Sequence, residues 1–148
     1  MKTILFVALL VFAQVLMAQS ADAEKEAIKQ VIQTAYVEGL QNEGDTLKIN
    51  SGIHSGFNLL GVGEQGNLWA LSIAQWKNNI QKKHLKGEFP RKPGEEVSIK
   101  FLFIDITGNA AVAKIEFYVG TQLTFVDYIS LYKFPEGWKL VSKIFYKF

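Results

Sequence analysis

The chain contains no cysteine, only three prolines and only two histidines. Without cysteine there are no disulfides and no thiolate ligands, so the core must hold by packing alone even in an oxidising compartment. Two separate histidines, with no Asp or Glu cluster at ligand spacing, do not compose a metal site, and neither metal nor cofactor is expected. Charge of one sign is also scarce. The formal net charge is +2 and includes Lys2, which lies in a segment expected to be removed. Such a balance offers no basic surface for nucleic acid. No Walker pattern and no Ser-His-Asp order is present. Gly61-x-Gly63-x-x-Gly66 has the spacing of a dinucleotide fingerprint, but it falls in a short strand–loop–helix unit of an antiparallel fold. Outside a parallel βαβ unit that spacing carries no such meaning.

One long hydrophobic run exists, and it stands at the start. Met1-Lys2 supplies a positive end, Ile4 to Met17 is uncharged and apolar, and small residues follow at Ala18, Ser20, Ala21 and Ala23. This is the pattern of a secretory signal peptide, with a run short for a membrane span. Cleavage is expected after Ser20, with Ala23 as the alternative. Residues 1–20 are then the signal, and 21–148 form one domain, exported to the periplasm or beyond, without a membrane anchor. No repeat, low-complexity tract or linker divides it.

Ala23 to Glu43 reads as a helix, with Ile28, Val31, Ile32, Ala35 and Leu40 near one stripe and Asp22 as its cap. Asp45 is placed to cap a short turn over Thr46 to Asn50. A strand is expected at Phe57 to Val62, and a second helix over Leu68 to Lys83, where Trp69, Ile73, Trp76 and Ile80 share a face. His84 then sits at a solvated helix end, before an exposed loop holding Pro90 and Pro93.

From Glu96 onwards four strands alternate with turn residues. A one-residue slip moves every side chain of a strand to the other face, so the apolar pattern selects loop lengths. It favours three-residue loops at 107–109 and 120–122 and four residues at 134–137. Phe103 is then opposite Ala113, Phe101 opposite Ile115, and Ile99 opposite Phe117. Asp127 faces Ile115 and Ile144 on a greasy surface that also holds Ser142, Tyr146 and Phe148. Lys143 and Phe145 go to the other face, beside Tyr118, Val126, Tyr128, Tyr132 and Leu102. The architecture that satisfies this pattern is α+β, with N-terminal helices packed on a curved, mainly antiparallel sheet and a pocket at the end the helices cannot fill.

Several stretches then become recognisable. They are Tyr36-Val37-Glu38-Gly39-Leu40, Glu43-Gly44-Asp45, Ile53-His54-Ser55-Gly56-Phe57-Asn58-Leu59-Leu60 and the Trp69–Trp76 segment. Phe125-Val126-Asp127-Tyr128-Ile129-Ser130-Leu131-Tyr132-Lys133 and Gly137-Trp138-Lys139-Leu140-Val141-Ser142-Lys143 follow. Together, over roughly Glu24 to Phe148, they resemble the putative lumazine-binding family of the nuclear-transport-factor-2-like superfamily. The resemblance implies a cone-shaped α+β domain with an internal cavity, often dimeric through the outer sheet face. The superfold hosts ketosteroid isomerase, polyketide cyclases, dehydratases and plain binding modules, so it does not settle activity. Many relatives carry a His-Pro-Asp pattern at the loop histidine, whereas here His54 is followed by Ser55-Gly56.

Asp127 is the most informative residue. A carboxylate in apolar surroundings loses hydration, and burial favours its protonated form unless hydrogen bonds hold the charge. It is a candidate catalytic acid or base, with His54 as a proton-shuttle partner. It is read first as a structural acceptor for Ser142, Tyr146, a tryptophan N–H or His54, and next as a ligand contact. A ligand-binding cavity would draw on Tyr36, His54, Phe57, Trp69, Trp76, Phe101, Phe117, Asp127 and Tyr146, and would suit a flat, largely apolar or aromatic molecule. The leading expectation is an exported small-molecule-binding protein that forms a homodimer through the outer sheet face. The alternatives are a pocket enzyme of the isomerase, cyclase or dehydratase type using Asp127, and an interaction module acting through that outer face.

Overall fold

The first helix winds in two ways. In the computed structural model, which describes residues 21–148, an α-helix over 21–31 runs without a break into a π-helix over Ile32–Glu43, and the two together are α1. Asp22, expected as a cap, lies inside the helix. With i→i+5 bonding the residues that share a face are spaced by four and five. The buried set follows that spacing, as Ile32 with Tyr36 and Val37, and Ala35 with Gly39 and Leu40. Sequence periodicity of 3.6 therefore found the stripe but left Tyr36 and Val37 off it. Gly44, at φ 67°, ends the helix, and its N–H donates to the Gly39 carbonyl. Asp45 caps α2 (Thr46–Gly52), as expected, accepting from the Leu47 and Lys48 N–H groups at 2.7 and 3.2 Å.

Six strands follow: β1 (Ile53–Val62), β2 (Leu68–Ser72), β3 (Val97–Thr107), β4 (Ala110–Val119), β5 (Gln122–Phe134) and β6 (Gly137–Lys147). They form one sheet in the order β2-β1-β6-β5-β4-β3, antiparallel except where β1 runs parallel to β6. Helix α3 (Ile73–Leu85) lies between β2 and β3 in the chain. Residues 68–72, expected to open that helix, are instead an edge strand. Ser72 and Gln75 form a capping box, which starts the helix at Ile73 and leaves Trp69 on the sheet. The indole lies over Gly61, where any Cβ would collide with the ring. It is tilted against Phe145 at 6.1 Å between centroids.

Every hairpin loop in the meander has two residues, not the three or four expected: Thr107 pairs with Ala110, Val119 with Gln122, and Phe134 with Gly137. Gly108 and Gly120 open their loops at φ 61° and 58°, the left-handed region such tight turns require. The register is reconciled by single-residue bulges. Leu102 is the extra residue in β3 and Thr124 in β5, and beyond them the expected pairs appear: Ile99 with Phe117, Phe101 with Ile115, and Ile115 with Asp127. Between the first bulge and its turn the faces exchange, so Phe103 pairs with Lys114 and is 47% exposed while Ile104 turns inward.

The third bulge has the opposite consequence. Strand β6 keeps the expected pairing from its turn to Leu131–Leu140, then inserts Val141, so that Ser130 meets Ser142 and Asp127 meets Phe145. Ile144, assigned opposite Asp127 from the sequence, is exposed on the outer face, as are Tyr146 at 63% and Phe148. Lys143 and Phe145 take the inner positions. Across the outer surface Phe103, Lys114, Tyr128 and Ile144 form one row of directly paired residues.

Helix α1 lies across the inner face. Asn42 exchanges two hydrogen bonds with the Val97 backbone at 2.7 and 2.9 Å, and Glu24 binds Lys133 and the Trp138 indole N–H at 2.6 and 2.7 Å. The core between comprises Ile28, Leu40, Ile49, Phe57, Ile115, Ile129, Leu131 and Leu140. Among the described residues no helix is long and apolar enough to cross a membrane. Residues 1–20, read from the sequence as a signal peptide, lie outside the described residues.

The fit of Trp69 on Gly61 is testable. Gly61→Ala is expected to cost about 1–3 kcal/mol, the scale of an overpacked site. In a Trp69→Ala background the same change should cost less than half as much, as read from urea denaturation of the four variants.

Candidate functional site

Two side chains from distant parts of the chain converge on one buried carboxylate, that of Asp127. The Tyr36 hydroxyl donates to Asp127 Oδ2 at 2.8 Å, and Lys143 Nζ donates to Oδ1 at 2.8 Å. Asp127 is 0% exposed, Tyr36 1% and Lys143 5%. The π-helical turn carries Tyr36 inward, alternation on β5 carries Asp127 inward, and the Val141 bulge does the same for Lys143. The Lys143 ammonium is also boxed by ring faces, 5.1 Å from the Phe145 centroid, 5.3 Å from Tyr36 and 5.9 Å from Phe125. Cation–π attraction at such distances partly replaces the water the ammonium has lost.

Tyr36 and Lys143 also line a cavity of about 240 Å³ that opens to solvent. Helix α1 adds Gln41, β1 adds Leu59, and α3 adds Trp76 and Lys83. The sheet adds Phe117, Phe125 and Phe145, whose rings meet edge to face at 5.4 and 5.5 Å. Asp127 is not itself a wall of this cavity and acts on it through its two partners.

Of the residues singled out from the sequence, Tyr36, Trp76, Phe117 and Asp127 come together here. Phe57 is buried beside Trp76, at 6.5 Å between ring centroids, and Phe101 packs against the core away from the opening. Trp69 approaches only through Phe145. Tyr146 is on the outer face, displaced by the bulge, and its ring packs against Phe148. His54 does not reach Asp127. Its ring stacks on Phe134 at 4.9 Å, its Nδ1 accepts from the Gly56 N–H, and it borders a separate surface hollow with Lys77 and Glu136. His84, at the exposed end of α3, contacts the Gly44 carbonyl at 3.2 Å. Gln41, Leu59, Lys83, Phe125, Lys143 and Phe145 were not among the residues expected there, and Lys143 matters most. Its signal was indirect: a charge on an apolar face needs a counter-charge, and Lys143 is the cation one bulge away from supplying it.

The model of the family described as "Putative lumazine-binding" matches residues 23–146. The chain belongs to this family. The family description points to a ligand-binding domain. A nuclear-transport-factor-2-like protein of unknown function from Shewanella baltica OS155 is similar, with a TM-score of 0.66 and 26% identity over 85% of this chain and 94% of that one. A second, from Silicibacter pomeroyi DSS-3, gives a TM-score of 0.68 at 16% identity, covering 86% and 98%. A protein from Streptomyces avermitilis titled a putative dehydratase gives 0.58 at 14% identity, covering 86% and 98%. These likenesses establish the nuclear-transport-factor-2-like α+β fold for this family member. No curated protein matches the chain.

Burial sets the electrostatics of the cavity. It pushes the Lys143 ammonium below its ordinary value, and the Asp127 charge and hydrogen bond offset part of that shift. Tyr36 is held well above the usual tyrosine range, first by burial and then by the Asp127 charge and hydrogen bond. It therefore remains a phenol at neutral pH, with its hydrogen committed to Asp127.

Two outcomes follow. Lys143→Met strands a buried carboxylate and is expected to cost about 3–5 kcal/mol. The double variant Lys143→Met, Asp127→Leu removes both charges, and in urea denaturation it should be more stable than the single one. The Tyr36 pKa is raised on folding, so its contribution is complete below about pH 10 and is lost as pH rises towards the folded value. The stability difference between wild type and Tyr36→Phe should hold constant to about pH 9, then shrink by up to about 1.4 kcal/mol per pH unit above pH 10.

Proposed function

We propose that this protein is an exported small-molecule-binding protein that holds a flat, largely aromatic ligand in the cavity between α1, α3 and the inner sheet face. The observation that carries the reading is the cavity wall. Trp76, Phe117, Phe125 and Phe145 surround an opening of about 240 Å³, with the polar heads of Lys143, Gln41 and Lys83 placed among them. Apolar walls with a few oriented polar groups are the usual composition of a small-molecule site. The family description supports the same class. An enzyme using Asp127 as acid or base is less well supported, because both carboxylate oxygens are engaged by Tyr36 and Lys143 and the group is sealed from the cavity. Export rests on the Met1-Lys2 end, the apolar Ile4–Met17 run and the small residues after it.

The outer sheet face supports a second element of the reading, a homodimer. Phe103, Tyr128, Ile144, Tyr146 and Phe148 are all exposed there, a larger apolar surface than a lone monomer ordinarily shows. A second copy offers the same face, and back-to-back sheets would cover both at once.

Native mass spectrometry of protein purified from its own host, followed by denaturing extraction, tests the first element. A co-purifying aromatic compound lost from Trp76→Ala is the expected result. A chain that neither carries such a compound nor gains thermal stability from a panel of aromatic molecules would remove the reading. For the dimer, light scattering at micromolar concentration should give two chains for wild type and one for Ile144→Lys.

A further inference from the structure

The charges around the cavity carry more information than its shape. Among the described residues no carboxylate lines it, and Asp127 beneath the wall is fully buried and spent on Tyr36 and Lys143. The charged groups among the cavity-lining residues are both ammonium groups, Lys143 in the interior and Lys83 from the last turn of α3. An ammonium has three N–H donors. Among the described residues Lys143 makes one hydrogen bond, to Asp127, and its other neighbours are ring faces. Donor capacity is therefore left for an acceptor that enters the cavity. Tyr36 has no hydrogen to offer, since its own goes to Asp127.

The approach to the cavity has the same sign. Lys83 also borders a neighbouring hollow in which Lys86, Arg91 and Lys92 face Glu88 and Glu95, so cations outnumber carboxylates. This loop is fastened to the cavity rim. The Arg91 side chain donates to the Gln41 carbonyl at 2.8 Å and its N–H to the Asn42 carbonyl at 2.8 Å. Both carbonyls belong to α1, and the Gln41 side chain is part of the cavity wall. A concave site of one sign raises the local concentration of the opposite charge and repels its own.

We propose that the cavity takes an aromatic acid, its ring among Trp76, Phe117, Phe125 and Phe145, an acceptor atom on Lys143 and its negative group towards Lys83. The proposal rests on the small-molecule reading above and adds the sign of the ligand. A cationic ligand meets two ammonium groups and no free carboxylate. A neutral ring gains the aromatic contacts but leaves Lys83 unanswered.

Isothermal titration of the purified protein with 2-naphthoate, 2-naphthamide and 2-naphthylmethylammonium separates the possibilities, since the three share a ring and differ in charge. The naphthoate should bind most tightly, weaken as salt is raised, and lose about fivefold in affinity in Lys83→Gln, the scale of one partly exposed ion pair. The naphthamide should be indifferent to that substitution. Equal or tighter binding of the amide or the ammonium compound would overturn the charge inference and leave the small-molecule reading standing. Naphthoate binding that responds to Lys86→Gln and not to Lys83→Gln would put the anion in the outer hollow and overturn the placement. If none of the three binds to protein shown folded by its thermal transition, the charge inference falls, while the small-molecule reading stands or falls by the co-purification and panel test above.

Discussion

The constraint on which this structure turns is the cost of burying the Asp127 carboxylate. A charge moved from water into a protein interior loses several kcal/mol of solvation, and that loss is tolerable only with close, well-directed partners. Asp127 has two, and each demands something unusual of the chain. The ammonium comes from a strand whose pattern must be broken by one residue to turn Lys143 inward. The phenol comes from a helix that departs from α geometry over Ile32–Glu43. Single-residue bulges and π-helical segments recur next to functional sites, and here both serve the same carboxylate.

The arrangement also determines what the cavity can be. Because Asp127 sits behind Tyr36 and Lys143, the surface it prepares is made of theirs, an ammonium ringed by aromatic faces and a phenol whose hydrogen is already used. Asp127 works as the orienting group beneath the cavity wall. Substitutions at it will report on folding before they report on any ligand, because a stranded Lys143 is as costly as a stranded carboxylate. Trp76 and Lys83 stand outside this network and are the better probes of binding.

Much of the fold was legible because its signals are local or strictly periodic. Glycine at tight turns, Asp45 as a cap and the apolar alternation of Ile99, Phe101, Ile115 and Phe117 are each readable from a few neighbouring residues. The inward placement of Asp127 came from the same alternation and agrees with its pairing to Ile115. The errors share another origin. Trp69 reads as helical because Trp69, Ile73, Trp76 and Ile80 are well spaced, yet Gly61 on a neighbouring strand provides the flat seat that keeps it in the sheet. From Lys143 to Phe148 the alternating apolar set is Ile144, Tyr146 and Phe148, so alternation points those three inward and gives no sign of the inserted residue that turns Lys143 and Phe145 to the core instead.

What the sequence by itself determined is the class of structure: helices on a meander, one buried acid, aromatic walls and a family to which the chain proves to belong. Those features depend on composition and on periods of two and about four residues, which a linear reading can detect. Only the tertiary structure decided the site. Whether β6 presents Ile144 or Lys143 to Asp127 turns on a single inserted residue, Val141, where β1 advances from Ile53 to Asn58 while β6 moves from Leu140 to Ser142. That insertion satisfies a charge contributed by a different strand, so its cause lies in the packed molecule and not in the residues around it.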